Sequence, residues 1–202
     1  MITTTLERCG RHLQSGFERV LDRGPDSTVS FVDIVQNFGV RAAALCAREE
    51  PQYSMLWREI AGKIAEDSIP YMDSQESLNS LNVAKNYAKG LVSEDDLQAA
   101  RASATSAANL FPAGSEERLA AMVVVNLMNE DAAFALELVV LGVGDLECIG
   151  DPGRAHYTGK QKAEAKDSRV FISAVKSYET KIDSAKEMKV QKRRYRDNEI
   201  SM

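Results

Sequence analysis

Histidine is almost absent from this sequence: His12 and His156 are the only two, and they stand far apart, so no histidine pair occurs at metal-ligand or catalytic spacing. Cysteine is nearly as sparse. Cys9, Cys46 and Cys148 are odd in number, widely scattered and free of any CxxC spacing, which argues against a disulfide framework or a cysteine-rich zinc site. All three read as reduced, with Cys9 and Cys46 as small core residues. No run of 18 uninterrupted apolar residues is present, so no membrane-spanning helix and no membrane partner are expected. The opening MITTTLERCGRHL lacks the apolar centre of a secretory signal, and a cytoplasmic setting is the expectation.

The usual catalytic signatures are missing too. There is no GxSxG and no HExxH. A near match to a phosphate loop fails, because five residues rather than four separate Gly153 from Gly159 and Gln161 follows Lys160 where Ser or Thr is required. No cofactor, metal or enzymatic activity is expected.

What remains is ordinary globular material, 44% hydrophobic and 27% charged, enough in 202 residues for one core plus a protruding element. Charge is unevenly spread. Residues 160–202 carry 12 Lys/Arg against 7 Asp/Glu, a net of +5, which leaves −10 on residues 1–159.

Apolar residues recur at three- and four-residue steps along most of the chain, the signature of amphipathic helices. Leu6, Cys9, Leu13, Phe17 and Val20 predict a first helix. A second is expected to open at Asp26 or Ser27, to carry Val32, Val35, Phe38, Ala42 and Leu45, and to stop before Pro51. A third aligns Leu56, Ile60 and Ile64, with Tyr53 and Trp57 one turn apart. DSQE at residues 73–76 caps a fourth bearing Leu78, Leu81, Ala84 and Ala88, which Gly90 ends. Ser93 with Asp96 caps a fifth, whose Leu97, Ala100, Ala104 and Ala107 make a small-residue face for close helix approach. The run LAAMVVVNLMNEDAAFALELVVLG predicts one long, deeply buried sixth helix. Residues 142–159, rich in glycine, read as a loop. Beyond them lies one long charged helix with a seam of Phe171, Val175, Tyr178, Ile182 and Ala185.

Three clusters invite a functional reading. In the loop, His156 accompanies Cys148, Asp145, Glu147 and Asp151, but at no recognised ligand spacing, and a solvated loop is the expectation. Glu94, Asp95 and Asp96 resemble an acidic site, yet carboxylates in a first helical turn are already accounted for by the helix dipole. The basic run holding Lys189, Lys192, Arg193, Arg194, Tyr195 and Arg196 is the strongest signal outside the core, suited to phosphates and base stacking or to an acidic protein surface.

The segment LNVAKNYAKGLVSEDDLQAAR, Leu81 to Arg101, resembles a family of small helical bacterial proteins described as immunity proteins. It covers about a tenth of the chain, and the resemblance implies a protein that binds and blocks another protein.

The expectation is therefore an all-α, multi-helix bundle over residues 1–141, a glycine-rich loop over 142–159, and a long, partly exposed basic helix and tail over 160–202. Functionally it is a protein-interaction module of the inhibitor, immunity or phage accessory kind. Phe171, Val175, Tyr178 and Ile182 would face a partner or a second copy, and a nucleic-acid-associated role for the basic end is the alternative.

Overall fold

The computed structural model describes residues 1–10, 24, 26–147, 149 and 154–200, with the side chains of the last stretch described over 164–188. Strand β1 (Thr3–Thr5) leads into a short helix α1 (Leu6–Gly10). Strand β2 (Thr28–Ser30) then pairs antiparallel with β1, Thr4 opposite Val29. Seven more helices follow: α2 (Phe31–Ala47), α3 (Ser54–Ala65), α4 (Gln75–Tyr87), α5 (Glu94–Ala108), α6 (Glu116–Leu127), α7 (Ala132–Leu146) and α8 (Arg154–Ile200). Short 3₁₀ turns at Pro51–Tyr53 and Glu66–Tyr71 flank α3. The fold is an all-α bundle with a two-stranded clasp, and no described helix is long and apolar enough to cross a membrane.

The cap chemistry read from the sequence sets the ends of α4 and α5. The Ser74 hydroxyl accepts from the Ser77 N–H at 3.2 Å. Ser93 and Asp96 form a complete capping box, and Gly90 turns the chain between the helices with φ +70°. Leu81, Leu97, Ala100 and Ala104 are buried between α4 and α5, and the Ser80 hydroxyl donates to the Ala100 carbonyl at 3.0 Å across the seam. The tight αα-hairpin is present as expected.

Elsewhere the structure corrects the sequence. The expected sixth helix is two, because Asp131 accepts from the Ala133 and Phe134 N–H groups at 2.9 and 3.0 Å and starts α7 afresh. Residues 28–30 are strand rather than helix, since Thr3–Thr5 offers them a ladder that local spacing cannot reveal; α2 starts at Phe31, capped by Ser30. The 142–159 loop shrinks, because α7 runs to Leu146 and α8 begins at Arg154. Gly142 marks close packing, not a turn: a Cβ there would sit 2.8 Å from Val123 Cγ2 on α6. Of the first helix only Leu6–Gly10 is described, so Leu13, Phe17 and Val20 lie outside the described residues.

The long, partly exposed C-terminal helix is present as α8, and part of it belongs to the core: Phe171, Ala174 and Val175 are buried against α2 and α3. The Phe171 ring stacks on Trp57 at 6.0 Å and on Phe31 at 6.3 Å, while Phe31 and Trp57 are 4.8 Å apart. The Trp57 indole donates to the Glu50 carbonyl at 3.0 Å, so the one polar atom of this buried side chain is satisfied.

Phe171→Ala is expected to lower the unfolding free energy by about 3–5 kcal/mol, the cost of emptying a large core site. Urea unfolding measures it, and a loss under about 1 kcal/mol would show that α8 is not part of the core.

Candidate functional site

Stepping back four residues along the α8 stripe from Phe171 lands on Asp167, so a carboxylate occupies a position that helical phase turns inward. It is 1% exposed, and its Oδ1 has no hydrogen-bond partner. Beside it, between α2, α7 and α8, lies a cavity of about 180 Å³. Val40, Val140, Leu141 and Gly144 wall it, while Arg41, Asp145 and Glu164 are exposed at its rim.

The backbone of α2 is shaped to this site. At Gly39 the helix breaks, with φ +84° and ψ +170°. That conformation favours glycine, and a Cβ there would lie 2.1 Å from Glu164 Oε1, so the missing side chain also makes room for the Glu164 carboxyl.

Burial pushes the Asp167 carboxyl up from its ordinary value of 3.8 to about 7, with the carboxylates of Asp67, Glu147 and Glu164 adding to the shift and Lys166 opposing it. Lys166 is itself engaged by Asp67 at 2.6 Å, which limits how much it relieves Asp167. The site therefore holds a carboxyl that titrates near neutrality against apolar walls. Among the described residues no group of three or more His, Cys, Asp or Glu is placed to hold a metal, and none of the lining residues named above is a nucleophilic hydroxyl or thiol.

No family model, curated protein or solved structure matches this chain. Its geometry has to carry the reading alone.

The residues expected to meet a partner are placed differently from that expectation. Phe171 and Val175 are fully buried in the chain's own core, which removes them from any docking face. Tyr178 is half-buried, edge-on to Tyr53 at 6.3 Å. Ile182 is half-buried beside Ile2, Tyr53 and Glu179. The side chains of Lys189, Lys192, Arg193, Arg194, Tyr195 and Arg196 lie outside those described, as do Cys148, Asp151 and His156 of the expected loop cluster. Glu94 and Asp96 are occupied as the dipole reading expects: Asp96 completes the capping box, and Glu94 accepts from the Tyr87 hydroxyl and from Gln98.

Three buried charges, Glu50, Arg58 and Asp167, escaped the sequence reading. Asp167 was legible as the seam extended one turn toward the N-terminus. Arg58 was signalled by Ala61, Gly62 and Ala65, small residues one and two turns on that mark a second packed face of α3. Its guanidinium donates to the Asn129 and Glu130 carbonyls at 2.9 and 2.7 Å and lies 5.2 Å over the Tyr87 ring, tying α3 to the turn between α6 and α7. Burial pushes its pKa down.

The folded-state value for Asp167 lies above the unfolded one, so its contribution to stability is full below about pH 4 and is lost as the pH rises through 7. Ionising it in place costs on the order of 4 kcal/mol by pH 8, from 1.36 kcal/mol per tenfold. Asp167→Asn is expected to raise the thermal midpoint at pH 8 and leave it unchanged at pH 4; a difference that does not vary with pH sinks this account. The paired thiols give a second expectation. Cys9 and Cys46 are free and buried, and contact with Cys9, then burial, pushes the Cys46 thiol far up. Peptide mapping after alkylation should find both unmodified in the native protein and both modified in urea.

Proposed function

We propose that this is a non-enzymatic, cytoplasmic protein-interaction module, of the inhibitor, immunity or phage accessory kind, that docks another protein on the outer part of α8. One observation carries the reading. From Asp183 to Met188 every side chain is exposed, with Asp183 and Lys186 still bordering Met1 and Ile2, yet the helix continues to Ile200. A solvated helical extension of this length gains little from its own propensity, and a partner that covers it supplies the missing stabilisation. The exposed Met188 adds an apolar contact to a stretch otherwise dominated by charge. The resemblance of Leu81 to Arg101 to immunity proteins points the same way.

The docking element is accordingly moved outward from the seam, to residues 183–200. A chain ending at Ile182 keeps Phe171, Val175 and Tyr178 in the core, so it separates docking from folding. In cells that express the protein, cross-linking of the full chain is expected to recover a defined protein that the shortened chain does not, while both melt alike. Recovery of the same set by both chains overturns the reading. Light scattering identifies a second copy as the partner if the full chain is a dimer and the shortened one a monomer.

A nucleic-acid-associated role is the second reading, favoured by the Lys and Arg residues of 189–196. It expects a mobility shift that weakens steeply with salt and disappears on truncation after Glu187. Absence of any shift at low salt removes it.

A further inference from the structure

The cavity beside Asp167 is not explained by docking on the arm, which begins about 24 Å further along α8 at 1.5 Å per residue. The phase of α8 turns residue 167 inward, but it does not call for an aspartate there. A seam position in a packed bundle is ordinarily apolar, and an aspartate leaves a buried oxygen without a donor, a cost that an apolar residue would not carry. One feature of the backbone keeps the space beside it open: Gly144 presents no side chain, a Cβ there meeting nothing within 4 Å.

We infer that this cavity is a binding site for an alkylammonium group, with Asp167 as its counter-ion. The charge at the site selects a cation, since the carboxyl of Asp167 is buried in its wall while the Arg41 guanidinium is exposed and screened by solvent. The single orphaned oxygen selects a compact ammonium over a guanidinium, whose planar fork is satisfied by two parallel acceptors. Val40, Val140 and Leu141 select an alkyl body. At about 180 Å³ the cavity is close in size to one of ~150 Å³ that admits benzene, which suits a chain of about four carbons. A metal ion is a poorer fit, because no set of three ligating side chains converges among the described residues. Such an ammonium comes either from a free amine or from a lysine side chain, and the binding chemistry is the same for both.

The test is a titration of the full chain, methyl-labelled for NMR at pH 8, with n-butylammonium. Saturable shifts confined to the methyls of Val40, Val140 and Leu141 are expected. 1-Butanol, with the same chain and no charge, should bind at least tenfold more weakly. Asp167→Asn should weaken n-butylammonium at least tenfold. Gly144→Leu, which fills the space and leaves the carboxyl in place, should do the same. Shifts that never saturate, equal binding of the alcohol, or an Asp167→Asn variant that binds like the parent each overturn the site. Once n-butylammonium has bound as expected, comparing 1,4-diaminobutane with a doubly capped lysine assigns the source: tighter binding of the diamine indicates a free amine, and tighter binding of the lysine a protein side chain. Because none of these measurements involves residues 183–200, a failure here leaves the docking proposal standing, and the converse holds.

Discussion

Phe31, Trp57 and Phe171 are far apart in sequence, yet their rings meet within 6.3 Å of one another, and the position of α8 follows from that meeting. A helix has one rotational phase. Once Phe171 and Val175 face the core, the residue one turn earlier faces it too, and in this chain that residue is Asp167. Turning α8 to release the carboxyl would expose Phe171 and Val175, each worth roughly 1.5–3 kcal/mol of burial. That sum is comparable with or above the cost of keeping the carboxyl inside, and a protonated carboxyl costs less still. The aromatic stack thus holds a carboxyl with an unsatisfied oxygen inside the bundle.

Other buried polar groups find partners, although Thr4 Oγ1, Ser77 Oγ and Glu137 Oε2 share the unpartnered state of Asp167 Oδ1. Arg58 finds two carbonyls and a ring face, Glu50 takes the Arg8 guanidinium at 3.1 Å, and Ser68 donates to the Ala65 carbonyl at 2.6 Å. The Arg58 and Glu50 ties join residues distant in the chain, whereas the Ser68 bond closes within one turn. Asp167 sits instead beside an open space that Gly144 leaves unfilled.

Much of this was legible in the residues, and the divisions have physical reasons. Ser74, Ser93, Asp96 and Gly90 declared α4 and α5 because caps act over three or four residues, within the reach of local reading. Leu56, Ile60 and Ile64 declared α3 by spacing alone, and all three are buried. Thr28–Ser30 was hidden, since a strand is defined by a partner elsewhere in the chain. Gly142 and Gly144 misled because glycine serves both turns and close helix contacts, and only the neighbour, Val123 for Gly142, distinguishes the two. Along the α8 seam periodicity says that a face is covered, not by what, and at Phe171 and Val175 the cover is the chain's own core. Asp167 was passed over because the stripe was followed toward its charged end and not back across one further turn.

The late arrival of Phe171 also governs how the chain must mature. During translation the α2 and α3 halves of the aromatic cluster emerge more than a hundred residues before their third member. At ~5–20 residues per second that interval is on the order of ten seconds. Through it, Phe31 and Trp57 line an uncapped apolar groove on the nascent chain, open to any helix that resembles α8. The protein is therefore exposed, at each synthesis, to an intermolecular exchange in which one copy's terminal helix completes another's body.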